Sequence, residues 1–204
     1  FVGLNRSDNE IWFFYPVAGG DEVSNYVIFN YLQNIWYNGT LVRTAWADAS
    51  VITDYPIAAS TDGKIYHHEL GLDDGASDPA SAITAYAESS SFEPIPSDGY
   101  QYFYANRLLP DLTFSGSTAA SPAVSLTLTP KDFPGGNPTQ GGAEINDSVA
   151  STVTRTAASP EVYTSQSHIR LRARSVKYKI SSSATGVQWR NGNPRLEVRP
   201  DGRQ

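Results

Sequence analysis

The sequence predicts an all-β fold, and three observations support that prediction. Aromatic residues make up 12% of the 204 residues, and the chain is rich in Thr, Ser and Val, which together favour strands over helices. The 16 Gly and 13 Pro supply the turns that short strands require. No segment shows the long helical period of apolar residues that a helix bundle needs. The 40% apolar content is enough to bury a core.

The stretch from residue 25 to residue 71 indicates short strands joined by tight turns. Residues 26–32 are apolar on both faces of a strand, which is typical of a strand buried on both sides or stacked on a neighbour. The pair Asn38 and Gly39 predicts a tight turn, and residues 41–46 form the next predicted strand. Residues 61–63, Thr-Asp-Gly, predict a further hairpin.

Two segments of the chain resemble each other at an offset of 54 positions. Residues 8–14, DNEIWFF, and residues 62–68, DGKIYHH, each have a turn pair, a charged residue and then Ile followed by an aromatic residue. A four-stranded unit that recurs at this scale is typical of a β-propeller blade. The alternative is that two unrelated hairpins share common turn chemistry.

The chain divides into two predicted parts. Residues 1–80 are expected to form propeller-blade-like antiparallel strands, which end in the acidic, Gly- and Pro-bearing loop 72–81. Residues 81–204 are expected to form a β-sandwich-like or mixed antiparallel portion with a long flexible loop at about 131–160. Predicted strands of this second part are residues 82–92, 100–109 and 124–129, the last with clean apolar–polar alternation.

The segment from residue 168 to residue 180 alternates apolar and basic residues, but its phase changes after Ser175. A β-bulge at residues 173–176 would repair such a shift within one strand. A hairpin is predicted across residues 191–194, Asn-Gly-Asn-Pro. The basic positions of the alternating segment form a candidate surface for docking a partner or another subunit: Arg170, Arg172, Arg174, Lys177 and Lys179.

The charge of the chain is distributed unevenly. Residues 1–164 hold 6 Lys/Arg and 19 Asp/Glu, a net −13, whereas residues 165–204 hold 9 Lys/Arg and 2 Asp/Glu, a net +7. This asymmetry points to a partner or to a neighbouring copy of the chain. The basic residues could bind nucleic-acid phosphates, pair with acidic residues of this or another copy, or remain solvated. The pI near 5.0 disfavours an outright DNA-binding protein.

The sequence excludes several kinds of site. The chain has no Cys, so disulfides, thiolate metal sites and a Cys nucleophile are impossible. His67 and His68 point to opposite faces of a strand and are interpreted as exposed polar residues rather than paired metal ligands. The acidic loop at Asp73, Asp74 and Asp78 lacks the spacing of a calcium loop. No cofactor is expected, and no enzyme motif supports catalysis, although a glycosidase carboxylate pair could be distant in sequence.

The tryptophans allow two interpretations. Trp12, Trp36 and Trp46 could form a sugar-stacking platform, but aromatic residues on propeller strands more often pack between blades, so a core role is favoured. No segment approaches the length of an apolar membrane span. The chain starts at Phe1 and contains no Met, which leads us to expect a processed product or a fragment of a longer chain.

Several runs of the sequence resemble the tail nozzle proteins of short-tailed bacteriophages, also called tail tubular protein B or tail-stabilisation proteins. The resemblance covers most of the chain except the loop at about 131–160. The resemblance rests on sequence segments rather than on a catalytic signature. The segments are IWFFYP, NYVIFNYLQNIWYNGTLVRTAW, DGKIYHHELGLDDG, RLLPDLTFSG and SHIRLRARSVKYKISSSATGVQWRNGNPRLEVRPDGRQ. The ending RPDGRQ resembles the C-terminus of that family, so an absent part is expected to be N-terminal.

The resemblance implies a structural function. Members of that family contain a β-propeller and assemble as a hexameric ring that extends the tube through which DNA leaves the capsid. We therefore expect a virion tail protein, made in the bacterial host cytoplasm, which forms homo-oligomers, docks other tail proteins and lets DNA pass without sequence-specific binding. It is not expected to be an enzyme. Two alternatives stay open, a carbohydrate- or receptor-binding β module and a propeller-type glycoside hydrolase.

Overall fold

Strands account for the regular secondary structure of the part of the chain that the structure describes. The computed structural model describes residues 1–96, 101–131, 151–156 and 166–202, and no helix occurs among them. The all-β prediction is therefore confirmed. The chain forms two compact units, Phe1–Gly71 and Leu72–Gln204.

The first unit contains two antiparallel meanders, in which each strand pairs with the next one along the chain. One sheet has the order β1-β2-β3-β4 and the other has the order β5-β6-β7. The strands are β1 Val2–Asn5, β2 Glu10–Pro16, β3 Val23–Asn30, β4 Ile35–Thr40, β5 Ala45–Ala47, β6 Ile57–Ala59 and β7 Ile65–His67.

The core of the first unit is aromatic. Trp12, Phe14 and Ile28 are buried on one face of the β1–β4 sheet, because their positions alternate with exposed or half-buried residues along β2 and β3. Trp46 of β5 stacks on Trp12 with ring centroids 5.3 Å apart, so the two sheets share this core. Gly3 of β1 makes that approach possible, since a Cβ there would lie 2.4 Å from the Trp46 ring.

The predicted turn at Asn38 and Gly39 is wrong. Both residues lie within β4, which pairs with β3 from Ile35 to Thr40, and the turn lies instead at residues 31–34. Asn34 takes the left-handed conformation in this turn, with φ of 56°. The strand predicted at residues 41–46 begins only at Ala45.

The two similar segments at residues 8–14 and 62–68 both form a turn followed by a strand. Asn9 and Gly63 take the left-handed conformation at the same point of the two turns, with φ of 61° and 76°. The first turn joins β1 to β2, however, and the second joins β6 to β7, so the two hairpins occupy different positions in their meanders. The described strands do not close into a barrel or a propeller.

The second unit contains three antiparallel sheets among its described residues. Their orders are β12-β11-β14-β8, β13-β9-β16 and β10-β15. The strands are β8 Ala85–Glu88, β9 Phe103–Leu109, β10 Leu112–Thr113, β11 Ala123–Lys131, β12 Ser151–Thr156, β13 Ser167–Ala173, β14 Ser175–Ser182, β15 Arg190–Asn191 and β16 Arg195–Pro200.

The larger sheets of the second unit contribute to a common core. Strand β11 alternates strictly, as predicted, and buries Val124, Leu126 and Leu128. These side chains join those of the other strands in one cluster, whose fully buried members include Phe103, Ala105, Leu112, Phe114, Ala173, Val176 and Ile180. The burial of this apolar surface is the main source of stability in the unit.

The segment predicted as one bulged strand forms two strands in different sheets. Strand β13 pairs with β9, the chain bends at Arg174, and β14 pairs with β11 and β8. The phase change occurs where predicted, since Ser175 and Val176 are both buried. The phase change marks the point where the chain passes from one sheet to another, and no bulge forms at residues 173–176. Strands β13 and β14 face the same core from different sheets.

Two further predictions in the second unit need correction. The predicted hairpin across residues 191–194 does not form, because β15 pairs with β10 while β16 pairs with β9. The loop predicted at about 131–160 contains strand β12, which pairs with β11. The rest of that predicted loop lies outside the described residues, apart from Lys131.

Candidate docking surfaces

The basic side chains of β13 face away from the core. Ile169 and Leu171 are buried in the alternation of this strand, so Arg170 and Arg172 lie on its exposed face. Arg174 follows the strand at the bend and is half-buried. All three arginines therefore lie in or directly after β13, at the same sheet.

Arg172 and Arg174 are held by a tyrosine and a carboxylate. The guanidinium carbon of Arg172 lies 4.1 Å from the centroid of the Tyr102 ring, and that of Arg174 lies 4.7 Å from it. Arg172 Nε also donates to a carboxylate oxygen of Asp201 at 2.5 Å. Stacking and the ion pair restrict these side chains to defined positions.

The two lysines of the predicted site lie on the other sheet. Lys177 Nζ donates to Glu88 Oε1 at 3.1 Å, and Lys179 Nζ lies 4.0 Å from Glu88 Oε2. Lys179 also lies over the Tyr86 ring, 4.7 Å from its centroid. The structure thus separates Lys177 and Lys179 from the arginines, and it gives both lysines a carboxylate partner within the same unit.

The structure brings beside Arg170 and Arg172 three arginines that were not among the predicted site residues. Strand β9 contributes Arg107, and β16 contributes Arg195 and Arg199. Arg172 and Arg199 both pair with Tyr104 of β9, which places all three side chains on the same face of the sheet. The alternation of Arg195, Glu197 and Arg199 along β16 was a sequence signal that could have identified this face.

Glu197 is the acidic residue of this face within the three strands. Asn106 Nδ2 donates to its Oε1 at 3.3 Å, Arg107 forms a short ion pair with its Oε2, and Arg199 lies 3.7 Å from Oε1. The Asn106 hydrogen bond, then the contacts with the two arginines, lower the pKa of the Glu197 carboxyl below its usual value of 4.5. Glu197 therefore stays ionised and neutralises part of the positive charge around it.

The first unit presents a second candidate surface, which is aromatic. Trp12 is buried and Trp46 packs against the core, as the core interpretation predicted, but Trp36 is 61% exposed and does not fit it. Trp36 stacks on Phe29 at 4.5 Å and on Phe13 at 6.2 Å between ring centroids, on the outer face of the β1–β4 sheet. This face therefore exposes stacked aromatic rings to solvent.

The two histidines lie on opposite sides of the chain, as predicted, but His68 is buried rather than exposed. Arg43 Nε donates to His68 Nε2 at 2.9 Å, and the imidazole packs 4.8 Å from the Trp46 ring. Burial, then the charge of Arg43, lowers the pKa of His68 from 6.5 to about 4. His68 is therefore neutral at pH 7. No group of three or more potential metal ligands occurs among the described residues.

Two carboxylates and a tyrosine lie near this core. Glu10 is buried and its Oε2 accepts from Trp12 Nε1 at 2.9 Å. Burial, and next the charges of Glu69 and Asp8, raise the pKa of Glu10 despite that hydrogen bond. Burial, then the charges of Glu69 and Glu10, also raises the pKa of Tyr26. Each pKa is raised first by the burial of its own group and then by the neighbouring carboxylates.

The acidic loop after residue 71 has a structural role. Both carboxylate oxygens of Asp73 accept from the backbone N–H of Gly186, at 2.7 and 2.9 Å, and Asp74 Oδ1 accepts from the N–H of Ala76 at 2.9 Å. The Asp74 contact is a local turn contact, whereas the Asp73 contact ties the loop to a residue 113 positions later in the chain.

Comparison of the chain with protein-family models and with curated protein sequences finds no match. No described segment forms a helix that is long and apolar enough to span a membrane. The candidate surfaces are therefore interpreted from their geometry and charge. They comprise a basic sheet face in the second unit and an exposed aromatic sheet face in the first.

Proposed function

We propose that the chain is a structural component of a bacteriophage tail, which forms part of the nozzle through which DNA is ejected and docks neighbouring tail proteins. The proposal places the mature protein in the virion tail after synthesis in the bacterial host cytoplasm. It includes assembly into a homo-oligomeric ring and no catalytic activity. The resemblance of the sequence to the tail nozzle family supports it, and one feature of the first unit supports it physically.

That feature is the β1–β4 sheet, which is apolar on both faces. Its inner face packs on the β5–β7 sheet through Trp12 and Trp46, while its outer face exposes Phe13 and Trp36 beside Phe29. In a propeller each meander packs against neighbours on both faces, so an apolar outer face is expected of a blade. We therefore interpret the two meanders as propeller-blade-like units, and the second unit as β-sandwich-like.

Large exposed apolar patches mark interaction surfaces in proteins that remain in solution. The outer face of the β1–β4 sheet has the composition of such a surface, since tryptophan is among the residues that contribute most binding energy at interfaces. A structural protein that contacts several neighbours needs surfaces of this kind. In this proposal the acidic residues of the chain repel DNA phosphates, so that a duplex passes without being bound.

The first test is the mass and shape of the purified chain. Light scattering should give a mass several times the 22.2 kDa of one chain, and negative-stain images of the same fraction should show rings with a central hole. Trp36→Lys should disrupt these assemblies, because it places a charge on the outer face of the β1–β4 sheet. Tyr86→Lys, at an aromatic residue that is 63% exposed in the second unit, is the matched control.

A second test addresses location. Antibodies against the purified chain should label the tails of phage particles released from cells that encode it. Particles whose tails stay unlabelled, while the antibody recognises the chain in the same lysate, would contradict the proposed virion location. A monomer that Trp36→Lys leaves unchanged would contradict the assembly role of the outer face.

The exposed tryptophan also favours a second candidate function, carbohydrate binding. Trp36 lies flat on Phe29 and is open to solvent, which is the arrangement by which aromatic rings stack on sugars. A glycan array distinguishes the two functions. Selective binding that Trp36→Ala abolishes without unfolding the chain would favour the carbohydrate-binding module, whereas the structural role predicts no selective binding.

A further inference from the structure

The outer face of the β13-β9-β16 sheet carries arginine and no lysine in its described strands. Strand β13 contributes two arginines, β9 contributes one and β16 contributes two. They are Arg170, Arg172, Arg107, Arg195 and Arg199. An arginine guanidinium binds a carboxylate through two parallel hydrogen bonds, which the ammonium group of lysine cannot do.

The carboxylates on and beside this face do not balance the arginines. Glu197 pairs with Arg107 and Arg199, and Asp201 pairs with Arg172. Five arginines against two carboxylates leave a net charge of about +3 on the face, taking each group as fully ionised. Arg170 and Arg195 are exposed and form no ion pair with a described residue. The face therefore retains positive charge that the described residues of the second unit do not neutralise.

Part of this surface is ordered before any partner binds. Tyr102 lies beneath the guanidinium groups of Arg172 and Arg174, at 4.1 and 4.7 Å from its ring centroid. Asp201 fixes the Nε of Arg172 as well. Because these side chains are already restricted, they lose less conformational entropy when a partner binds them.

We propose that this face docks onto exposed carboxylates of the first unit of a second copy of the chain. The proposal rests on the structural function above, since it specifies how copies of a tail component associate. Residues 1–71 hold 3 Lys/Arg and 8 Asp/Glu, a net −5. The exposed carboxylates of that unit are Asp8, Asp21, Glu22, Asp54, Asp62 and Glu69.

The contact joins two different surfaces, the basic face of one copy and the acidic unit of the next. Such a heterologous interface is not closed by one pair of subunits, so it generates a ring when the rotation closes and a filament when it does not. A heterologous contact is the type of interface that a ring-forming tail protein requires. Duplex DNA could also bind arginines, but the chain as a whole carries −6 and repels phosphates outside this one face.

Arg170→Glu with Arg195→Glu tests the proposal, since neither residue forms an ion pair with a described residue and the fold should survive. The matched control is Arg6→Glu with Lys64→Glu, which changes the net charge equally but lies in the first unit. Mass by light scattering over a concentration series gives the association constant of each protein. Loss of two exposed ion pairs should weaken association by up to about 30-fold, and added salt should weaken the association of the wild type. The control should not weaken it.

Each other outcome overturns the proposal. A wild-type chain that stays monomeric, or an Arg170→Glu/Arg195→Glu variant that associates as the wild type does, removes the second copy as the partner. A monomer that binds duplex DNA in fluorescence anisotropy, and loses that binding in the variant, assigns the face to nucleic acid instead. Rings that persist in the variant overturn this interface but leave the proposed tail function, whereas unlabelled tails overturn the function itself.

Discussion

Replacing His68 by Gln should remove a pH dependence from the stability of the first unit. The imidazole is buried against Trp12 and Trp46, and its Nε2 accepts from the guanidinium of Arg43, which is always protonated. Protonation of His68 would remove the acceptor and place a second positive charge beside Arg43. Glutamine offers an acceptor of similar reach and does not titrate.

The sign and size of the effect follow from the pKa. His68 has a pKa of about 4 in the folded chain against 6.5 when unperturbed, so the unfolded state binds more protons between these values. The stability that neutral His68 permits is complete above pH 6.5 and is lost as the pH falls towards 4. Integration of this difference from pH 7.5 to pH 5 gives a loss of about 2 kcal/mol.

Urea unfolding followed by tryptophan fluorescence measures this loss. Three of the four tryptophans lie in the first unit, and Trp189→Phe in both proteins removes the one in the second unit. The pH dependence of the free energy of unfolding is then compared between the Trp189→Phe protein and the same protein with His68→Gln. The carboxylates near the site, Glu10 and Glu69, are present in both proteins, so their titration cancels in the difference.

The free energies of unfolding of the two proteins should diverge by about 2 kcal/mol as the pH falls from 7.5 to 5. Parallel curves over this range would refute the reasoning, because they would show that His68 titrates equally in the folded and unfolded states. A divergence in the opposite direction would show that the folded state holds the proton more tightly, and that Arg43 is not the partner of Nε2.

Two further predictions concern the same unit. Gly3→Ala should destabilise the chain by about 1–3 kcal/mol in urea unfolding, because its Cβ would lie 2.4 Å from the Trp46 ring, whereas Gly75→Ala, with no atom within 4 Å of the added Cβ, should not. Glu10→Gln keeps an acceptor for Trp12 Nε1 but removes a carboxyl whose pKa is raised, so the wild type should lose stability relative to the variant as the pH rises from 4.5 to 7. Equal urea midpoints for the two glycine variants, or a pH-independent difference for Glu10→Gln, would contradict these two arguments.

The alternation of apolar and polar residues predicted the strands that have one buried face and one half-buried or exposed face. Strand β11 buries every second residue, as its Val/Leu against Ser/Thr pattern indicates, and the phase change after Ser175 lies where the burial pattern shifts. His67, the last residue of β7, is exposed, and His68, which follows the strand, is buried. Alternation shows which residues share a face but not what covers that face, so the burial of His68 and the exposure of Trp36 were not predictable from it.

The prediction of a turn at Asn38 and Gly39 was wrong because tertiary packing outweighs the local turn preference of this residue pair. Gly39 pairs with Tyr26 across the sheet, and a Cβ at Gly39 would lie 2.4 Å from the tyrosine hydroxyl. Glycine is needed here to admit the Tyr26 ring rather than to form a turn. A sequence alone does not show which residue lies opposite on the neighbouring strand. It therefore cannot distinguish a glycine that forms a turn from one that makes room for a neighbouring side chain.

The division of the basic segment between two sheets has a consequence for its function. A phase change in a strand is compatible with a bulge or with a change of sheet, and only the non-local partners, β9 for β13 and β11 for β14, distinguish them. The change of sheet brings Arg170 beside the arginines of β9 and β16, while it brings Lys177 and Lys179 beside Glu88. Four of the nine basic residues of 165–204 therefore lie on the outer face of one sheet, and together with Arg107 of β9 they give the proposed docking surface its charge.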